Sequence, residues 1–284
     1  MQFLRNKVVA VATAIICTTA VVAAGGATTV GIASANVNRS SVTHMALAQY
    51  PYRLAYTVID PGTFGGPNSY FDGPGVPLTS NGTLVGQADT TTPCPPIGPC
   101  EDPYIQHAFT FQNARLTDLG ALPGNNSSAI WELNSYGVGV GNSEDGLIDP
   151  NTGTEASVAV LFVHGQVIRL GALPGGYESQ AQDISDQGQV AGFSSNGIPD
   201  PYSSVFLGWK TETRTFVWKN GVMTDIGTLG TPDAIEQVED QRGQIAGASF
   251  TNDTPSPYTG SPTLDRFLWE NGHMIDLGTL GLVR

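Results

Sequence analysis

The chain has 284 residues, of which 35 are Gly and 19 Pro, with 13% charged side chains and a formal net charge of −13. That balance excludes a helical bundle and fits a turn-rich β protein. The acidic surface argues against nucleic acid or anionic lipid as a partner.

The first predicted element is a leader. Arg5 and Lys7 precede an apolar stretch from Val8 to about Ile32, and Ala33-Ser34-Ala35 supplies a small-x-small site. This order reads as a secretory signal peptide over residues 1–35, cut after Ala35. The alternative is a retained anchor, because the run is long enough to span a bilayer. Without the leader, which carries two cations and no acid, the charge becomes −15. Residues 36–51 read as a linker and 52–284 as the folded domain, with no second apolar segment of spanning length.

A repeat dominates that domain. Thr117-Asp118-Leu119-Gly120-Ala121-Leu122-Pro123-Gly124 returns as Ile168 to Gly175, as Thr224 to Gly230 and as Ile275 to Gly281, after a worn copy at Val58 to Gly66. The marker glycines 62, 120, 171, 227 and 278 are 58, 51, 56 and 51 residues apart. Four strand-like runs fill each unit. Run A (Phe109-Thr110-Phe111, Leu161-Phe162-Val163, Phe216-Val217-Trp218, Phe267-Leu268-Trp269) ends in a tight turn at Asn113-Ala114, His164-Gly165, Asn220-Gly221 or Asn271-Gly272. Asn-Gly between β-formers marks a hairpin whose turn residues both need positive φ. Run B ends in Asp-Leu-Gly. Run C, such as Ala181 to Ile184, and run D, such as Gln189 to Gly192, follow. The first C and D runs are expected between Leu78 and Gly86.

Four short antiparallel strands per repeat predict an all-β fold: a β-propeller-like tandem array of four-stranded antiparallel blades. One such sheet cannot bury both faces alone, so neighbours must stack. The glycine of run D is expected to admit close approach of another backbone. Counting the unit as A-B-C-D, the chain opens on B-C-D and closes on A-B. The final run A is then expected to pair with the first B-C-D, leaving the last run B surplus. The expectation is four to five blades, in a ring whose closure the strand count leaves open, as in a shortened member of a longer family. A β-solenoid is the alternative.

His107-Ala108-Phe109, the hairpin turn, the Asp-Leu-Gly-Thr-Leu-Gly element and the trailing Gly-Gln-Val-Ala-Gly resemble the bacterial extracellular HAF repeats. The resemblance covers roughly residues 52–284, although only the first run A keeps the tripeptide. It implies secretion and a β-repeat architecture, and no catalytic residues.

All long insertions fall between run D and the next run A, at about residues 89–106, 142–158, 194–213 and 249–265, and are expected on one face together with the B-to-C loops. Insertions on one face commonly build a binding surface. Asp102-Pro103-Tyr104, Asp200-Pro201-Tyr202 and Ser256-Pro257-Tyr258 recur there, with Asp149-Pro150-Asn151 in the fourth. Proline stiffens the segment. The rings of Tyr104, Tyr202 and Tyr258, beside Asp102, Asp149, Asn151 and Asp200, therefore suit a neutral glycan or a peptide. The competing reading is ordinary turn chemistry with tyrosines packed onto blade edges.

Cys94 and Cys100 read as a disulfide closing one small loop, in keeping with an exported chain. No cofactor is expected. The oxygen-rich stretch from Asn142 to Glu155 could offer calcium ligands, but its spacing matches no EF-hand and it reads as a solvated acidic loop. The histidines, 44, 107, 164 and 273, recur at no equivalent position, and no serine elbow or zinc motif appears. A binding or interaction module, monomeric and extracytoplasmic, is therefore expected. A polysaccharide hydrolase using carboxylates among Glu101, Asp102, Asp145, Asp200, Asp253 and Asp265, or a ligand-free surface repeat, stands as the alternative.

Overall fold

The computed structural model describes residues 43–46, 55–71, 77–94, 103–124, 126–230 and 232–278. The chain divides into two units, residues 1–43 and 44–284. The expected leader lies outside the described residues.

Strands β1 (Thr43–Ala46) and β2 (Ala55–Val58) pair with each other, so β1 falls inside the stretch read as a linker. Sixteen further described strands form four antiparallel sheets. The first sheet holds β3 (Gly65–Tyr70), β4 (Leu84–Pro93), β5 (Tyr104–Gln112) and β6 (Arg115–Gly120). The second holds β7 (Ser128–Leu133), β8 (Gly139–Ile148), β9 (Glu155–Val163) and β10 (Gln166–Gly171). The third holds β11 (Ser179–Ile184), β12 (Val190–Pro199), β13 (Thr211–Lys219) and β14 (Val222–Asp225). The fourth holds β15 (Ala234–Glu239), β16 (Ile245–Phe250), β17 (Leu264–Glu270) and β18 (His273–Gly278). In each sheet the strands neighbour one another in chain order.

The expected all-β array of four-stranded antiparallel blades is therefore present, but its unit is cut elsewhere. Each blade is C-D-A-B, contiguous in the chain. The last run A pairs with β16 of its own sheet, not with the start of the chain, and the last run B is its fourth strand rather than a surplus one. The first C strand is β3, whereas Leu78 makes only an isolated bridge to Leu84. A periodic sequence fixes the period. Lateral packing fixes where the unit is cut.

The hairpins follow from their turns. Both turn residues have positive φ in Asn113-Ala114 (51° and 60°), His164-Gly165 (50° and 78°), Asn220-Gly221 (52° and 85°) and Asn271-Gly272 (51° and 81°). That geometry matches the twist of the flanking strands. The run D glycine meets the adjacent C strand so closely that a Cβ on Gly86, Gly141, Gly192 or Gly247 would lie 1.9–2.3 Å from the carbonyl oxygen of Tyr70, Ala129, Gln180 or Ile235. In the last three sheets this contact sits at a bulge in the C strand.

The core lies between sheets. Val85, Ala108, Ile130, Val158, Val160 and Phe162 fill the first junction. Val140, Leu161, Leu173, Ile184, Val190 and Phe216 fill the second. Val217, Ala234, Ile245 and Phe267 fill the third. Among the described residues no comparable packing joins the fourth sheet to the first. Strands β7, β11 and β15 touch in succession and form the inner edge of the array.

Serines stitch these junctions. The Ser128 hydroxyl donates to Gly120 O and accepts the Ala108 N–H at 2.9 Å; Ser179 does the same for Gly171 O and Ala159 N–H at 2.8 Å. A second series, Ser143, Ser194 and Ser249, accepts the N–H of Leu122, Leu173 and Leu229 at 2.9–3.0 Å. The Asp-Leu-Gly aspartates are local devices: Asp118, Asp225 and Asp276 accept the N–H of Gly120, Gly227 and Gly278 at 2.7–2.8 Å. Where Arg169 replaces the aspartate, its guanidinium pairs instead with Asp145 at 2.8 Å.

Candidate functional site

In a C-D-A-B sheet the D-to-A connection and the B-to-C loop leave from the same end. All four insertions therefore share one end of the array, as the spacing predicts. Where they are described, they are not free loops. The paired strands run out into them, with a bulge of shared design at Asp89/Pro93, Glu144/Ile148 and Ser195/Pro199. Neighbouring connections pack together: Tyr202 and Phe206 of the third sheet lie on Phe250 of the fourth, with centroids 6.5 and 5.3 Å apart.

The predicted residues divide on this end. Asp149 is buried and accepts the Asn151 N–H and side-chain amide at 2.8 and 3.0 Å, while Asn151 itself is exposed. Asp200 is buried and accepts the Tyr202 N–H at 3.0 Å. Tyr104 is half-buried at the start of β5, opposite Pro93. Tyr202 packs edge-on against Phe250, so its ring is spent on the junction. Tyr258 is 96% exposed. Asp102 lies outside the described residues. Further exposed side chains of this end are Leu147, Ile148, Tyr177, Ile198, Val205 and Leu264. The bulges put Leu147, Ile148 and Ile198 outward, just past Gly146 and Gly197, whose φ values are 77° and 80°.

Two carboxylates that sequence reading missed complete this picture. The residue just before run C reaches back to the first residues of the preceding sheet's third strand, which run B does not cover. Glu178 accepts the Ser157 N–H at 2.9 Å and Asp233 accepts the Thr213 N–H at 2.6 Å. In doing so each meets one of the predicted aspartates. Burial, with the charges of Asp149 and Asp145, pushes Glu178 up to about 7. Burial likewise pushes Asp233 up to about 7, and the Asp200 carboxyl stands within hydrogen-bonding reach of it. The only sequence signal was an acid recurring before run C in two units.

A second acidic cluster occupies the inner edge. Glu132 (β7), Asp183 (β11), Glu236 and Glu239 (both β15) come from three successive sheets. Asp183 reaches both Glu132 and Glu236 carboxyl to carboxyl. Glu132 accepts the Ile184 N–H at 3.2 Å, Asp183 the Glu239 N–H at 2.9 Å, and Glu239 the Gln189 amide at 2.9 Å. Both Glu236 oxygens are buried, and no N–H or hydroxyl donates to either. Burial, reinforced by the neighbouring acids, raises Glu132 and Glu239 to about 8 and Glu236 well above the usual glutamate value. These acids look in sequence like ordinary strand polars; the bulges turn them inward.

Among the described residues no group of three or more Asp, Glu, His or Cys is gathered as a metal site. In the stretch from Asn142 to Glu155, Asp145 is committed to Arg169 and Asp149 to its turn. His107 stands 3.0 Å from the Asp118 carboxylate. Cys94 donates its N–H to Pro103 O at 2.9 Å, closing the loop that contains Cys100, which lies outside the described residues. A cleft of about 230 Å³, lined by Arg242, Gly243, Gln244, Glu270 and Asn271, lies at the opposite end of the fourth sheet from the predicted residues. Comparison with family models, curated proteins and solved structures returned no match.

Proposed function

We propose that this chain is an exported, monomeric binding module that takes its ligand on the end of the array where the D-to-A hairpins and B-to-C loops emerge. The observation that carries this reading is the outward set Leu147, Ile148, Tyr177, Ile198, Val205 and Tyr258, supplied by successive sheets at one end. Scattered exposed apolar residues need no explanation. Leu147, Ile148 and Ile198 stand at two equivalent bulges, and exposed apolar side chains repeated in this way at one end of a β scaffold mark an interaction surface. Its branched aliphatic character suits an uncharged extended peptide or protein segment. The exposed ring of Tyr258 favours the second reading, a neutral glycan face. The acidic surface keeps nucleic acid and anionic lipid away. A Cys94–Cys100 disulfide would brace the first insertion, and the leader and the HAF-like repeat support secretion.

Of the carboxylates considered for hydrolysis, Asp200 and Asp265 are buried and Asp145 is paired with Arg169, which supports a binding rather than a hydrolytic role for them, since a glycosidase needs its two carboxylates open to substrate. Peptide and glycan arrays probed with the chain, and with the double variant Ile148→Asp/Ile198→Asp, test the proposal. Specific binding that the variant loses by tenfold or more is the expected result. Equal binding by both proteins rejects this surface.

A further inference from the structure

The third junction holds buried oxygen atoms that its fold leaves uncommitted. Asp200 comes from the hairpin between β12 and β13, and Asp233 from the residue before β15. They are 5% and 0% exposed, and their carboxyls face each other within hydrogen-bonding reach. In each, one oxygen is spent on a backbone N–H, while Oδ2 is buried with no hydrogen-bond partner. The hydroxyls of Thr211 and Thr213, on one face of β13 beside them, are likewise buried and unpartnered.

The surrounding charge does not balance this pair. Glu212 adds a further acid. Arg214 is the nearby cation, and it is engaged by Glu212 at 3.4 Å, Asp225 at 3.1 Å and Pro232 O at 3.2 Å. Lys210 is exposed, and its carbonyl only accepts the Asp200 N–H. Two facing carboxylates taken from water need either a shared proton or a cation.

We propose that Asp200 and Asp233 bind a hard divalent cation, calcium by preference, which fastens the third sheet's hairpin to the fourth sheet. Two carboxylates, neutral hydroxyls and water form the all-oxygen, flexible shell that calcium accepts and that magnesium, demanding strict octahedral geometry, does not. The site uses none of the side chains of the ligand surface proposed above. It would set the hairpin that carries Ile198 and Val205, and the Tyr202 and Phe206 rings that rest on Phe250.

The test uses the full chain stripped with EDTA at pH 7.5, followed by calorimetric titration and thermal unfolding with calcium or magnesium. One calcium should bind at this site. At a hundredfold excess over Kd, calcium should raise the Tm by about 5–10 °C, and magnesium by far less. Asp200→Asn and Asp233→Asn should each abolish that shift while retaining the β-sheet circular dichroism. Glu178→Gln, at the neighbouring junction, should keep it. No heat and no Tm change in the parent overturns the proposal and leaves the pair holding a proton. Undiminished calcium binding by both Asn variants places the ion elsewhere and overturns it equally.

Discussion

Ser179 of the third sheet closes the bulge at Gly171 of the second. Its hydroxyl donates to the Gly171 carbonyl and takes the Ala159 N–H at 2.8 Å, entirely out of solvent. Removing the hydroxyl strands a buried donor and a buried acceptor at once. Ser179→Ala is expected to cost about 2–4 kcal/mol, since each orphaned group costs roughly 1–3 kcal/mol. Urea unfolding followed by tryptophan fluorescence measures it. A loss under 1 kcal/mol would show that the stitch is dispensable.

Ala114 occupies the first sheet's A-to-B turn at φ 60°, where the other three sheets place glycine. An L side chain with a Cβ pays about 1–2 kcal/mol in this left-handed region. Ala114→Gly should stabilise the chain by about 1 kcal/mol, less the entropy glycine returns to the unfolded state. The midpoint of denaturant unfolding should rise. A lower midpoint would contradict the turn geometry.

Gly141 has no room for a methyl group, because its Cβ would stand 1.9 Å from the Ala129 carbonyl oxygen. Gly141→Ala must displace the β7–β8 bulge and is expected to cost more than about 3 kcal/mol, at the upper end of overpacking penalties. The readout is expression yield together with Tm. The exposed Gly153, with nothing near its Cβ position but a φ of 77°, should lose much less on the same change.

The inner-edge acids set an inverted pH dependence. Glu132 and Glu239 titrate near 8 in the fold and near 4.5 when unfolded. The folded state therefore holds protons more tightly than the unfolded one. This contribution is complete below about pH 4.5 and is lost as pH rises toward 8. In EDTA, unfolding free energy should fall between pH 5 and 8, and Glu236→Gln, which keeps the shape without the charge, should flatten the fall. A profile that rises over this interval, in the parent, would rule out the protonated cluster.

Much of this was legible in the chain itself. Asn-Gly dipeptides announced hairpins because only positive φ closes a two-residue turn with the right twist, and run D glycines announced a backbone contact. The cut of the repeat was not legible. A-B-C-D and C-D-A-B have the same periodicity, and only the hydrogen bonds between β16 and β17 choose between them. The candidate site was half legible. Asp149 and Asp200 stood out by their recurring Asp-Pro, but Glu178 and Asp233 are joined to them only across a sheet junction. Tyr202 looked displayed because proline stiffened its segment, and Phe250, which covers it, sits in a distant run.

Because each described four-stranded blade is one uninterrupted stretch of chain, and among the described residues none of these sheets borrows a strand from another, duplication or loss of one genetic segment adds or deletes a complete layer. Such an array can change length without any existing layer being left unfinished. The connections at the shared end multiply in step with the layers.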